Sequence, residues 1–173
     1  MMMHQGIGLT AFNAMPLHKA VHALYECCCS VPFAADLAGG RPYAGHDQLF
    51  RRADMLLFNL PEESIDTILQ AYPHVGRRPR SVRSQAEQCS VWDDCPALMA
   101  QLDAAVRDYT ELFGFGFVMF VGSGDARDVL AAITDRIHND GETERKVVRN
   151  ELARINRTRL ERMLGPEGGY QNW

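Results

Sequence analysis

Three short stretches of this chain hold residue types able to act on a small polar molecule. Ser84, Glu87 and Gln88 place a hydroxyl, a carboxylate and an amide on successive helical turns, where they could converge on one ligand. The same pattern also opens a helix with no ligand at all, with Ser84 capping and Glu87 reaching back to close a capping box. The second stretch is Phe113-Gly114-Phe115-Gly116-Phe117-Val118-Met119-Phe120-Val121. An irregular buried backbone must satisfy its N–H and C=O groups, and some of these could face an anion or a ureido carbonyl. A core strand held by neighbouring helices is the competing explanation. The third stretch is Tyr72-Pro73-His74, which leads into Arg77, Arg78, Arg80 and Arg83. Those arginines could collect an anionic substrate, or simply form a solvated loop. By themselves His74 reads as a solvated side chain and Tyr72 as a core aromatic.

Metal chemistry is not expected. Cys27, Cys28 and Cys29 are consecutive, so on a helix they point about 100° apart and cannot converge on one ion. Cys89 and Cys95 lack the two-residue spacing of a zinc knuckle. Five cysteines are an odd number, which does not suit a disulfide framework. Small, partly buried thiols in a reducing compartment fit better.

The elements that position these stretches are nearly all helical by period. Pro16 suits a first helical turn, after which Leu17, Ala20, Val21, Leu24 and Cys28 form one face. A short helix is expected over Val31 to Ala38, ended by Gly39-Gly40. Asp47 can cap a helix with Leu49, Ala53, Leu56 and Leu57 inward. Asn59, with Pro61 and Glu62 following, reads as the start of the next helix, whose apolar face is Ile65, Ile68 and Leu69 and which Pro73 stops. From Cys95 a stripe of Leu98, Leu102, Ala105, Val106, Tyr109, Leu112 and Phe113 predicts a long helix. The glycine–aromatic run then breaks the period and reads as a buried extended segment. Ser123-Gly124-Asp125 opens a helix carrying Val129, Leu130, Ile133 and Ile137. A last helix follows Asn139-Asp140-Gly141 with Val148, Leu152, Ile155, Leu160 and Met163 inward. The expectation is an all-α helical bundle with one short extended segment. It forms a single domain over residues 1–173, with a core at about 10–164 and an unstructured tail at 165–173.

Composition narrows the function classes. At 173 residues the chain can bury a core without staples, and its net charge of -4 gives no reason to expect nucleic acid. The longest apolar stretch, around Phe113 to Val121, is too short to cross a bilayer as a helix. The N-terminus has no basic region before an apolar core and the C-terminus no Ser-Lys-Leu, so a cytoplasmic location is expected.

Several segments, in order and at suitable separations, resemble the OHCU decarboxylase family. They are Phe12-Asn13, Cys29-Ser30-Val31-Pro32-Phe33 with Arg41-Pro42-Tyr43, and Ala71-Tyr72-Pro73-His74-Val75-Gly76. Further on come Ser84-Gln85-Ala86-Glu87-Gln88, Phe113 to Val118, and Arg136-Ile137-His138-Asn139-Asp140 with the glutamates 142 and 144 and the stretch Ile155 to Leu160. The resemblance implies an all-α, cofactor-free, homodimeric enzyme that converts 2-oxo-4-hydroxy-4-carboxy-5-ureidoimidazoline (OHCU) to (S)-allantoin. It implies a catalytic role for Glu87. It also implies a substrate pocket from Pro73, Ser84, Gln88 and the run Phe117, Val118, Met119, Phe120 and Val121.

One departure bears on the chemistry. Where the family carries its proton-transfer histidine, this chain has Tyr72. A phenol can donate a proton but is a poor base at neutral pH. His74, two residues on, would substitute only if the loop is rebuilt. The leading expectation is therefore a decarboxylase-like lyase of this family acting on a small anionic heterocycle or keto acid, including a non-purine substrate in a specialised pathway. Its catalytic groups would be Glu87 with Tyr72 or His74. The alternatives are a true OHCU decarboxylase of urate catabolism and a non-catalytic descendant that binds a ligand or partner.

Overall fold

Wherever apolar residues recur at helical spacing, the backbone is helical. The structure, a computed structural model, describes residues 6–72, 75 and 91–166. Among them lie eight α-helices and no strand. In chain order these are α1 (Leu9–Ala14), α2 (Leu17–Cys28), α3 (Val31–Gly39), α4 (His46–Phe58), α5 (Glu62–Ala71), α6 (Pro96–Phe113), α7 (Ala126–Arg136) and α8 (Gly141–Leu164). None is long and apolar enough to cross a membrane. Two compact units result, one from the described residues up to Ile68 together with those from Ala153 on, the other from those between Leu69 and Leu152. The glycine–aromatic run is irregular backbone rather than a strand.

In the first unit, α2 packs on α3 and α3 on α4. Leu24, Phe33, Leu37, Leu49 and Leu57 are fully buried, each worth roughly 1.5–3 kcal/mol relative to exposure. The Ser30 hydroxyl accepts the Phe33 N–H and caps α3. Several residues that carried the family resemblance are structural ties. Asn13 and Tyr43 exchange two bonds, Asn13 Nδ2 to the Tyr43 carbonyl at 2.8 Å and the Tyr43 N–H to Asn13 Oδ1 at 2.9 Å. The Arg41 guanidinium donates to the carbonyls of Phe12, Met15 and Ala38, and so satisfies the ends of α1 and α3.

Three expectations shift. Asn59 ends α4 rather than opening α5: its N–H and its side-chain amide both bond the Met55 carbonyl. Asp47 sits in the first turn of α4, one position inside the helix that Gly45 precedes, where a carboxylate favours the helix dipole without capping. Leu17 and Leu112 are exposed, Leu17 because it lies in the first turn of α2 ahead of the buried stretch.

Cys28 lies in the core near the end of α2, where burial pushes its thiol up to about 12, opposed by a backbone hydrogen bond at Ser30. Below the ordinary thiol pKa both states hold the proton, so stability does not depend on it. From about pH 9 up to about 12 the unfolded chain loses a proton that the folded chain keeps, so stability falls as pH rises. The expected slope is at most about 1.4 kcal/mol per pH unit. Urea unfolding at pH 8 and pH 10.5 should show the loss, and Cys28→Ala should flatten it. An equal pH slope in both proteins would refute the assignment.

Candidate functional site

Helix α6 stops where the candidate segment begins. Gly114 takes a left-handed conformation (φ 77°) and its N–H bonds the Thr110 carbonyl, which turns the chain out of the helix. Phe115, Phe117 and Val118 then bury, while Met119, Phe120 and Val121 are half-buried. The aromatic residues pack around Tyr109, with ring centroids 4.7 Å (Phe113), 6.0 Å (Phe115) and 5.1 Å (Phe117) away. Arginines cover the outer faces, Arg136 at 4.4 Å over Phe117 and Arg145 at 4.1 Å over Phe115.

Since no ladder is available to an irregular segment, its polar groups find side chains instead. Arg136 Nη1 donates to the Val118 carbonyl at 2.8 Å. The Phe120 N–H donates to Glu151 Oε2 at 2.6 Å. The Val121 carbonyl accepts from the Gly124 N–H. The Met119 N–H has no acceptor among the described residues.

Beneath the segment lies a buried charge cluster. Glu144 is fully buried and accepts from Arg136 Nε at 2.8 Å, from Asn139 Nδ2 at 2.8 Å and from the Tyr109 hydroxyl. Burial, then the bond to Glu144, hold the Tyr109 phenol above the ordinary phenol range against the opposing effect of Arg136. At neutral pH this tyrosine is therefore a hydrogen-bond donor, not a base.

Of the residues expected in the site, Tyr72 stands half-buried just past the end of α5, in the same unit as Phe117 to Val121. Pro73, His74, Ser84, Glu87 and Gln88 lie outside the described residues, as does most of the arginine loop. A groove of about 590 Å³ in the same unit is lined by Leu112, Phe113, Phe115, Ile137, Asn139, Gly141, Glu142 and Arg145. It includes none of the expected site residues. Sequence reasoning passed over Tyr109, Glu144 and Glu151 as working polar groups. A signal was present for one of them: Glu144 stands four residues before Val148 and eight before Leu152, a charge on the apolar face of α8.

Comparison with known proteins points in one direction. The family model described as OHCU decarboxylase matches residues 13–161. The 2-oxo-4-hydroxy-4-carboxy-5-ureidoimidazoline decarboxylase of Haloferax volcanii is 27% identical, covering 95% of this chain and 100% of that protein. The protein of the same name from Mus musculus is also 27% identical, over 76% of this chain and 78% of its own. Among solved structures, an OHCU decarboxylase crystallised in the presence of (S)-allantoin superposes with a TM-score of 0.71 at 19% identity. That match covers 81% of this chain and 95% of the other. An (S)-allantoin synthase gives the same TM-score at 16% identity, over 90% of this chain and 53% of that one. These structural likenesses establish a shared all-helical fold.

Proposed function

Because the chain belongs to the OHCU decarboxylase family, we propose that it removes CO2 from OHCU and releases (S)-allantoin. One observation carries the proposal: a match that runs from residue 13 to 161, with relatives aligned over most of their own length and named for that reaction. It favours the family substrate over the different anionic substrate that led the sequence expectation. The two compact units are then parts of one domain, since the family match runs through both. A cytoplasmic homodimer that needs no cofactor completes the proposal.

The chemistry asks little of the protein beyond placement and one proton. The bond from the ring carbon to its carboxylate breaks, and its electron pair passes into the conjugated nitrogen and carbonyl groups. Backbone donors of the Phe117–Val121 segment would stabilise that charge. The Tyr72 hydroxyl would then give its proton to the ring carbon and recover one from water, with Glu87 acting from the opposite face. Pro73, Ser84 and Gln88 complete the pocket in this proposal, and His74 is the reserve donor.

Freshly generated OHCU given to the purified protein should yield the circular-dichroism signal of (S)-allantoin well above the rate in buffer. Formation at the buffer rate would sink the proposal. Glu87→Ala should lower turnover by about 10²-fold; full activity in that variant would remove Glu87 from the site. A second possibility, a related substrate of different ring chemistry, is favoured by Tyr72 standing in the histidine's place. Turnover of such a compound but not of OHCU would establish it.

A further inference from the structure

The Val118–Phe120 stretch is held at two points by charged side chains from two helices. Arg136, the last residue of α7, takes the Val118 carbonyl at 2.8 Å, and Glu151, in α8, takes the Phe120 N–H at 2.6 Å. Both bonds are charge-assisted, which makes each roughly twice as strong as a neutral one. Arg136 is itself fixed by Glu144, which is fully buried. The peptide joining Val118 to Met119 is planar and trans, so the Met119 N–H points opposite to the Val118 carbonyl. The bond from Arg136 therefore directs the Met119 N–H away from that guanidinium, while Glu151 fixes the next peptide plane. That N–H has no acceptor among the described residues, although Met119 is half-buried. A donor held in place without a partner is what a developing negative charge requires, because no reorganisation is needed when the charge appears.

We infer that Glu151, acting with Arg136, is a positioning residue that sets the peptide planes between Val118 and Phe120 so that the Met119 N–H is offered to the substrate. The inference rests on the proposed function for the placing of this segment at the substrate. Glu151 does not touch the reacting atoms; it acts through the backbone it holds.

Two measurements on the full chain separate the clamp from the chemistry. Amide hydrogen exchange should show the Phe120 N–H protected and the Met119 N–H exchanging freely. Glu151→Leu removes the acceptor and should expose Phe120, while amides of α2 keep their protection and so report an intact fold. In the same variant kcat for OHCU should fall roughly 10- to 100-fold with a smaller change in KM. Glu151→Gln keeps an acceptor oxygen and should recover most of both the protection and the rate. Glu151→Ala serves if the leucine variant does not fold.

Loss of Phe120 protection with kcat within about twofold of the unaltered chain overturns the positioning role and leaves the proposed function standing. Unchanged Phe120 exchange in the leucine variant overturns the clamp itself. If the unaltered chain fails to turn over OHCU, the proposed function fails, and the exchange data alone uphold or overturn the clamp.

Discussion

Glu144→Ala is expected to destabilise the protein by about 3–5 kcal/mol, a large share of the roughly 5–15 kcal/mol that keeps a domain folded. The carboxylate is fully buried and answers three donors: the Arg136 guanidinium, the Asn139 amide and the Tyr109 hydroxyl. Removing it strands a cation whose side chain is only 11% exposed, together with a buried phenol and an amide. The gain from pairing two buried charges is modest because both were taken out of water, but breaking such a pair leaves one charge unanswered. Glu144→Gln should cost less, since the amide oxygen still accepts one of the donors. Replacing the pair together, Arg136→Met with Glu144→Leu, should cost less than Glu144→Ala alone. Guanidinium unfolding of the three variants tests the order. A Glu144→Ala cost below about 1 kcal/mol would mean that water reaches the cluster.

Tyr72→Phe should abolish nearly all turnover of OHCU, by about 10²-fold or more, while leaving the fold intact because the side chain is only half-buried. Tyr72→His should act in the opposite sense and raise kcat at pH 7 by about tenfold or more. The reason lies in proton affinity. A phenol with an ordinary pKa near 10 gives up its proton reluctantly at neutral pH, whereas an imidazole near 6.5 exchanges one readily in either direction. The histidine variant should also acquire a pH dependence centred near 6.5 that the unaltered chain lacks. Steady-state rates followed by circular dichroism across pH 5 to 9 would test both claims. Full activity in the phenylalanine variant would dismiss Tyr72 as the donor and turn attention to His74.

Helical period, caps and breakers in the sequence account for most of the described fold. Apart from the exposed Leu17 and Leu112, the faces of α2, α5 and α6 follow the expected residues, with Leu24, Ile65, Ile68, Leu102 and Tyr109 all buried. The misses have local causes. Asn59 satisfies both a helix start and a helix end, because its short amide bonds a nearby backbone group in either setting, and only the tertiary path decides. The extended segment was legible as a break in the helical period, but not the charged side chains that hold it. Arg136 and Glu151 lie 18 and 31 residues from their backbone partners, and no local pattern encodes such a pairing. Of the proposed site, Tyr72 and the Phe117–Val121 run lie within the described residues. The amide left open at Met119 becomes visible only once its neighbours' bonds are known.

The three bonds of Arg41 have a bearing beyond the helix ends they close. Arg41, Asn13 and Tyr43 spend their polar groups on backbone, and Arg136, Asn139 and Glu144 do so or spend them on one another. These residues are among those that carry the family pattern, and their bonds hold the architecture together. Part of the family pattern is thus a frame, set at positions apart from the proposed pocket. A frame tied in this way holds whatever side chain stands at position 72, so the chain remains recognisable by its ties even where its pocket is altered.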